Sequence, residues 1–144
     1  MKLPYRLFLF VILFVSTACF GQKLVQAVSD VGQLAIHKEQ FIGQPLNILL
    51  AQIEPAIKYV YGNPENRWRG AVGGTYLKFH FVDKQEYGEM LRQNKKPAGV
   101  VVSFSLEPNS SRKPLPKGGI PLWTDEQKRE YGDMIIADIR ITGG

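Results

Sequence analysis

The chain holds a single cysteine, Cys19, and only two histidines, His37 and His80, among its 144 residues. One thiol excludes an intramolecular disulfide, and with it the stapled frameworks common in exported domains of this size. With Cys19 the sole cysteine, placed in the apolar N-terminal segment, Cys nucleophiles, Cys-ligated zinc and thiol redox chemistry are not expected either. Clusters of His, Cys, Asp and Glu at metal-ligand spacing are missing, as is a glycine loop followed by Lys and Ser/Thr of the kind that cradles phosphate. No metal and no cofactor is expected. No carboxylate precedes Asp30, and no long apolar run follows the one that ends at Phe20.

What stands at the start is a secretory signal. Lys2 and Arg6 form a basic beginning, Leu7 to Val15 an apolar centre, and Ser16, Ala18 and Gly21 the small residues of a cleavage region. The stretch from Leu7 to Phe20 is shorter than the ~20 residues a helix needs to cross a bilayer. Two processing routes compete. Cleavage after Gly21 leaves Gln22 as a new N-terminus and a free periplasmic or secreted product. Cleavage after Ala18 with lipidation of Cys19 leaves a membrane-anchored lipoprotein, although Ser16 stands where such signals usually carry an aliphatic residue. The ending Phe20-Gly21-Gln22 resembles the signals of exported bacterial proteins and favours the free product. The expected organisation is a signal peptide over 1–21 and one exported domain over 22–144.

Removal of Lys2 and Arg6 with the leader takes the formal charge from +5 to +3. That is too little, and too dispersed, for the concentrated basic face of a nucleic-acid binder. A chain of this length builds one domain with a modest core.

Apolar residues at Leu24, Val28, Val31, Leu34, Ala35 and Phe41 recur at helical spacing and predict an amphipathic helix over 23–40, with Gly32 a weak point. Pro45 suits the first position of a second helix, which Pro55 should end. Strands are predicted from Ala56 to Tyr61, from Thr75 to Val82, from Gly99 to Glu107 and from Asp133 to Thr142. In the second of these, Leu77, Phe79 and Phe81 face the core while Tyr76, Lys78 and His80 face water. In the last, Ile135, Ala137, Ile139 and Ile141 alternate against Met134, Ile136, Asp138 and Arg140. Asp83 with Glu86, and Thr124 with Gln127, are capping pairs for two short helices. The pattern predicts an α+β fold, with two N-terminal helices packed on a mainly antiparallel sheet of about four strands and short helices between strands. The helix pair leading into Gly43-x-Pro45-Leu46, followed by aromatic-rich strands, is similar over about half the chain to small lipoproteins of the β-lactamase-inhibitor-like fold. That resemblance implies two helices and three strands, and carries no site residue.

No catalytic set emerges from spacing. Neither histidine has a neighbouring nucleophile or orienting acid in the sequence. Ser103 and Ser105 alternate within a strand, while Ser110 and Ser111 sit in a loop, without a nucleophile-elbow pattern. Glu107 and Asp138 are the acids expected on strands, where exposed charges discourage edge pairing. Two loops stand out instead. The first, from Gly62 to Gly74, sets Trp68 between Arg67 and Arg69 in a glycine-rich stretch, a pairing that supplies area, cation–π contact and bidentate donors. The second, from Asn109 to Trp123, carries Arg112, Lys113 and Lys117 among prolines, with Ile120, Leu122 and Trp123 expected to anchor its far end. Gathered at one end of the sheet, the two loops would make a cationic, aromatic patch for an anionic ligand or a protein partner. The plainer alternative folds Trp68 over the core and leaves the cations in water. The leading expectation is a non-enzymatic binding domain of the envelope or extracellular space. Its rivals are a small hydrolase of an envelope polymer, built on His80, Glu107 or Asp138, and an envelope assembly accessory.

Overall fold

The computed structural model describes residues 21–63, 75–105, 115–116 and 118–144. Four strands, β1 (Tyr59–Asn63), β2 (Tyr76–His80), β3 (Gly99–Phe104) and β4 (Ile136–Thr142), form one sheet in sequential order, each antiparallel to the next. Two short helices precede it, α1 (Gly32–Ile36) and α2 (Leu46–Leu50), while α3 (Lys84–Arg92) joins β2 to β3 and α4 (Asp125–Tyr131) precedes β4. The fold is the α+β layer expected. A fourth strand, and α3 inserted between the middle pair, depart from the three-stranded layout that the resemblance implies.

One sheet face makes the core. Val60, Leu77, Phe79, Val100 and Val102 are fully buried there and meet Leu34, Leu46 and Leu49 from the N-terminal helices. Each side chain of this size contributes on the order of 2 kcal/mol relative to exposure. This apolar burial is the main source of stability in a chain without a cross-link.

The first predicted helix is broken into a 3-10 turn at Val28–Val31, α1, and a second 3-10 turn at Lys38–Gln40. Its first residues are drawn off elsewhere: Val25 N–H donates to Gln52 at 3.0 Å, and Glu54 N–H donates to Val25 at 2.9 Å. The Asp30 carboxylate then accepts from Ala27 N–H at 2.8 Å, starting the chain afresh. The same Val25 contacts end α2 at Leu50, well before Pro55.

α3 and α4 begin where their capping pairs predict. Asp83 accepts from Glu86 N–H at 2.8 Å, and Thr124 N–H donates to the Gln127 side chain at 3.0 Å. α3 closes on Asn94 at φ 56, with Lys95 N–H donating to Met90 and Asn94 N–H to Leu91, a left-handed stop.

One strand reading, that of β4, needs correction. Ser103 pairs with Asp138 and Phe104 with Ile136, so Ala137 is an extra residue in a bulge. The bulge turns Ile136 into the core and leaves Ala137 exposed, the reverse of a simple alternation. On β1, Val60 lies in the core, so Tyr59 and Tyr61 belong to the opposite face. Both outer edges are partly covered by the chain itself. Val60 and Ile120 exchange hydrogen bonds of 2.8 and 2.7 Å beside β1, and Gly43 and Leu46 donate to Ile136 and Met134 at the start of β4.

Candidate functional site

The sheet face away from the core holds an aromatic cluster. Tyr59 stands opposite His80, and Tyr61 opposite Lys78, across the β1–β2 pair. A two-residue period puts all four on one face. Tyr59 and Tyr61 lie 5.7 Å apart, and the His80 ring lies 5.9 and 5.6 Å from them at interplanar angles of 21° and 14°, so the three rings tile the surface. Tyr87, in the first turns of α3, comes down on this layer with its ring 4.5 Å from His80.

His80 is therefore fully buried, not water-facing as the alternation predicts. The cover on its far side is α3, which the strand pattern alone does not locate. Gly99, opposite His80 on β3, leaves room for it: a Cβ there would lie 2.9 Å from the imidazole Nδ1 and Cε1. Neither ring nitrogen reaches a hydrogen-bond partner. Burial first, and the charge of Lys78 second, push its pKa down to about 4, against a weak opposing pull from the Ala98 backbone that falls short of a formed hydrogen bond. No carboxylate contributes. The hydroxyls of Tyr59 and Tyr87 titrate above their ordinary range, chiefly through burial, and Tyr87 also through its hydrogen bond with Tyr61.

Beside the cluster opens a pocket of about 390 Å³. Tyr59, Tyr61 and Tyr87 form one wall, Gly62 and Asn63 continue it at the end of β1, and Leu115, Pro116, Gly118 and Gly119 form the other. The Val60–Ile120 bridge holds that second wall against β1. Gly119, at φ +83, packs where a Cβ would strike the Val60 carbonyl and come within 2.7 Å of the Tyr59 ring. Two ammonium groups lie against residues of the lining. Lys78 Nζ lies 5.8 Å from the Tyr61 ring centre, and Lys84 Nζ sits against Gly118, where a Cβ would run into it. No carboxylate is among the described residues that line the pocket.

Of the residues singled out in the sequence, Arg67, Trp68, Arg69, Arg112, Lys113, Lys117 and Cys19, together with Glu107, lie outside the described residues. The described ends of the two loops, Gly62-Asn63 and Leu115 to Gly119, come together at the pocket. Ile120 is buried and Trp123 packs edge-on against Phe79 at 5.2 Å, whereas Leu122 is half exposed and anchors nothing. Asp138 accepts from Lys38 Nζ at 2.9 Å, and that hydrogen bond keeps its carboxyl below the ordinary value. It lies two strands from His80 and four residues along, since His80 pairs with Gly99 and Gly99 with Thr142. His37 closes α1, its Nδ1 3.5 Å from the Gln40 amide. No chemical motif marks Tyr59, Tyr61 and Tyr87 as site residues in the sequence; the alternating Tyr-x-Tyr before Gly62, and a Tyr four residues after the Asp83 cap, are the signals that point to them.

Among the described residues no group of three or more His, Cys, Asp or Glu could hold a metal ion, and no helix is long and apolar enough to cross a membrane. Comparison of the chain with family models, characterised proteins and solved structures gives no match.

Proposed function

We propose that this protein is a non-enzymatic binding domain, exported by its N-terminal signal, which holds an anionic ligand in the pocket between β1 and the Leu115–Gly119 segment. The observation that carries this reading is the convergence of the described parts of the two loops on a tyrosine-walled pocket, with Lys78 beside Tyr61, Lys84 beside Gly118 and no carboxylate among the described lining residues. Polar groups converging in a preformed concavity are the usual setting for a small-ligand site. Arg67 and Arg69, four and six residues beyond Asn63 in the chain, and Arg112, Lys113 and Lys117, on the second loop, would add to the positive field. Enzymatic chemistry finds less support: His80 sits among rings with no acid acting on it, and Asp138 is engaged by Lys38.

The test is a titration of the nitrogen-labelled protein with a panel of small anions, following the amide signals of Gly62, Asn63, Gly118 and Gly119. A ligand that moves these signals, and binds more weakly once Arg67 and Arg69 are both changed to Glu, supports the reading. Affinities for every anion left unchanged by that double charge reversal would refute the part given to the first loop.

A further inference from the structure

The pocket described above also has a chemical character specific enough to narrow its ligand. Its Tyr wall offers ring faces, and Tyr61 remains only half-buried at the end of that tiled layer. Its other surfaces are mostly backbone, exposed by Gly62, Gly118 and Gly119, together with the Asn63 amide and the tyrosine hydroxyls. Among the described lining residues only Leu115 and Pro116 carry aliphatic side chains. A lipid chain would meet aliphatic wall at those two alone, and a flat aromatic acid would leave most of the peripheral donors and acceptors unmatched. A ring with one C–H-rich face and hydroxyls around its edge matches both surfaces.

The charge narrows it further. Lys78 and Lys84 come from separate elements and place two point charges beside the lining residues Tyr61 and Gly118, not the guanidinium fork that grips phosphate in bidentate fashion. A single carboxylate on the ring meets that arrangement. We propose that the pocket is a subsite for a carboxylate-bearing sugar ring, which stacks on Tyr61 while its carboxylate lies toward Lys78 and Lys84. This rests on the reading of the pocket as an anion site. The ligand is a unit of an acidic glycan, and His80 and Tyr87 serve as the rigid backing that fixes Tyr61.

The experiment compares four probes by amide shifts on the labelled protein: trigalacturonate, neutral galactotriose, benzoate and inorganic phosphate. Trigalacturonate is expected to move the Gly62, Asn63, Gly118 and Gly119 signals with millimolar affinity, and galactotriose to bind several-fold more weakly. Tyr61→Leu, which keeps an apolar side chain in place, should weaken both sugars by about fivefold, the measure of a lost ring stack. Lys78→Gln should weaken only the acidic sugar, by about threefold. Phosphate or benzoate moving these signals while trigalacturonate does not would overturn the sugar assignment and leave the anion pocket standing. No response to any of the anions would overturn both. A response to trigalacturonate that survives Tyr61→Leu and Lys78→Gln unchanged would place the sugar elsewhere and end the proposal.

Discussion

Acid should unfold this protein through His80 before it does so through any carboxylate. In the folded state the imidazole is sealed under Tyr87 with no hydrogen-bond partner and holds off protonation to about 4, against 6.5 for the ordinary side chain. Above pH 6.5 the ring is neutral folded or unfolded, and contributes no pH dependence. As pH falls below 6.5 the unfolded chain takes up the proton and the folded one does not, so stability declines until the folded ring titrates as well. At 1.36 kcal/mol per pH unit the whole interval is worth about 3 kcal/mol, of which about 2 kcal/mol is gone by pH 5. A domain of this size has only about 5–15 kcal/mol in total. In urea, with a slope of about 1–2 kcal/mol per molar, the unfolding midpoint should drop by about 1–2 M between pH 7 and pH 5. His80→Phe keeps a ring under Tyr87 and removes the titration. Its midpoint should hold across the same range and lie close to that of the parent at pH 7, because two unpaired nitrogens are exchanged for carbon. A parent midpoint that does not move between pH 7 and pH 5, or a His80→Phe midpoint that falls as steeply, would refute the reasoning.

Gly99→Ala places a methyl 2.9 Å from the His80 ring and 3.1 Å from the Phe79 carbonyl, and should cost about 1–3 kcal/mol by thermal or urea unfolding, as overpacking does. The same change combined with His80→Ala should recover part of that loss, since the obstructing ring is gone. Lys38→Ala should raise the Asp138 carboxyl toward its ordinary value in an NMR titration, with little change in the unfolding midpoint at neutral pH, because both partners are well exposed. The stability lent by that pair is present above the carboxylate range and lost only as pH falls below about 4, under the window of His80. Deletion of residues 139–144 removes Ile139 and strips β3 of its outer partner, so the shortened chain should lose its cooperative unfolding transition.

Much of the layer architecture was legible because burial leaves a period in the sequence. Leu77, Phe79 and Val100, Val102 alternate as a half-buried sheet requires, and the capping pairs at Asp83 and Thr124 sit where helices begin. The failures come from contacts made at long range. The helical spacing over 23–40 is real, yet Val25 is committed to Gln52 and Glu54, a pairing that no local window contains. The Ala137 bulge reverses the inward set of β4 because β3 dictates the register there. His80 occupies a position that alternation assigns to water, and only the docking of α3 makes that position dry. Composition marks the loop that begins at Gly62 and the one that contains Leu115, whereas Tyr59, Tyr61 and Tyr87 are ordinary strand and helix residues until the fold collects them.

The covered sheet margins set the way this molecule can meet others. A strand from a second copy, or from an unfolded neighbour, would have to displace Ile120 from Val60 on one side or peel Gly43 to Leu46 from the start of β4 on the other. Each displacement breaks two or more main-chain hydrogen bonds before one is gained. Growth by strand addition therefore carries a kinetic barrier at the covered positions. At those positions crowding alone should not seed strand addition, and the proposed ligand pocket lies on a different part of the molecule, the tyrosine face of the sheet.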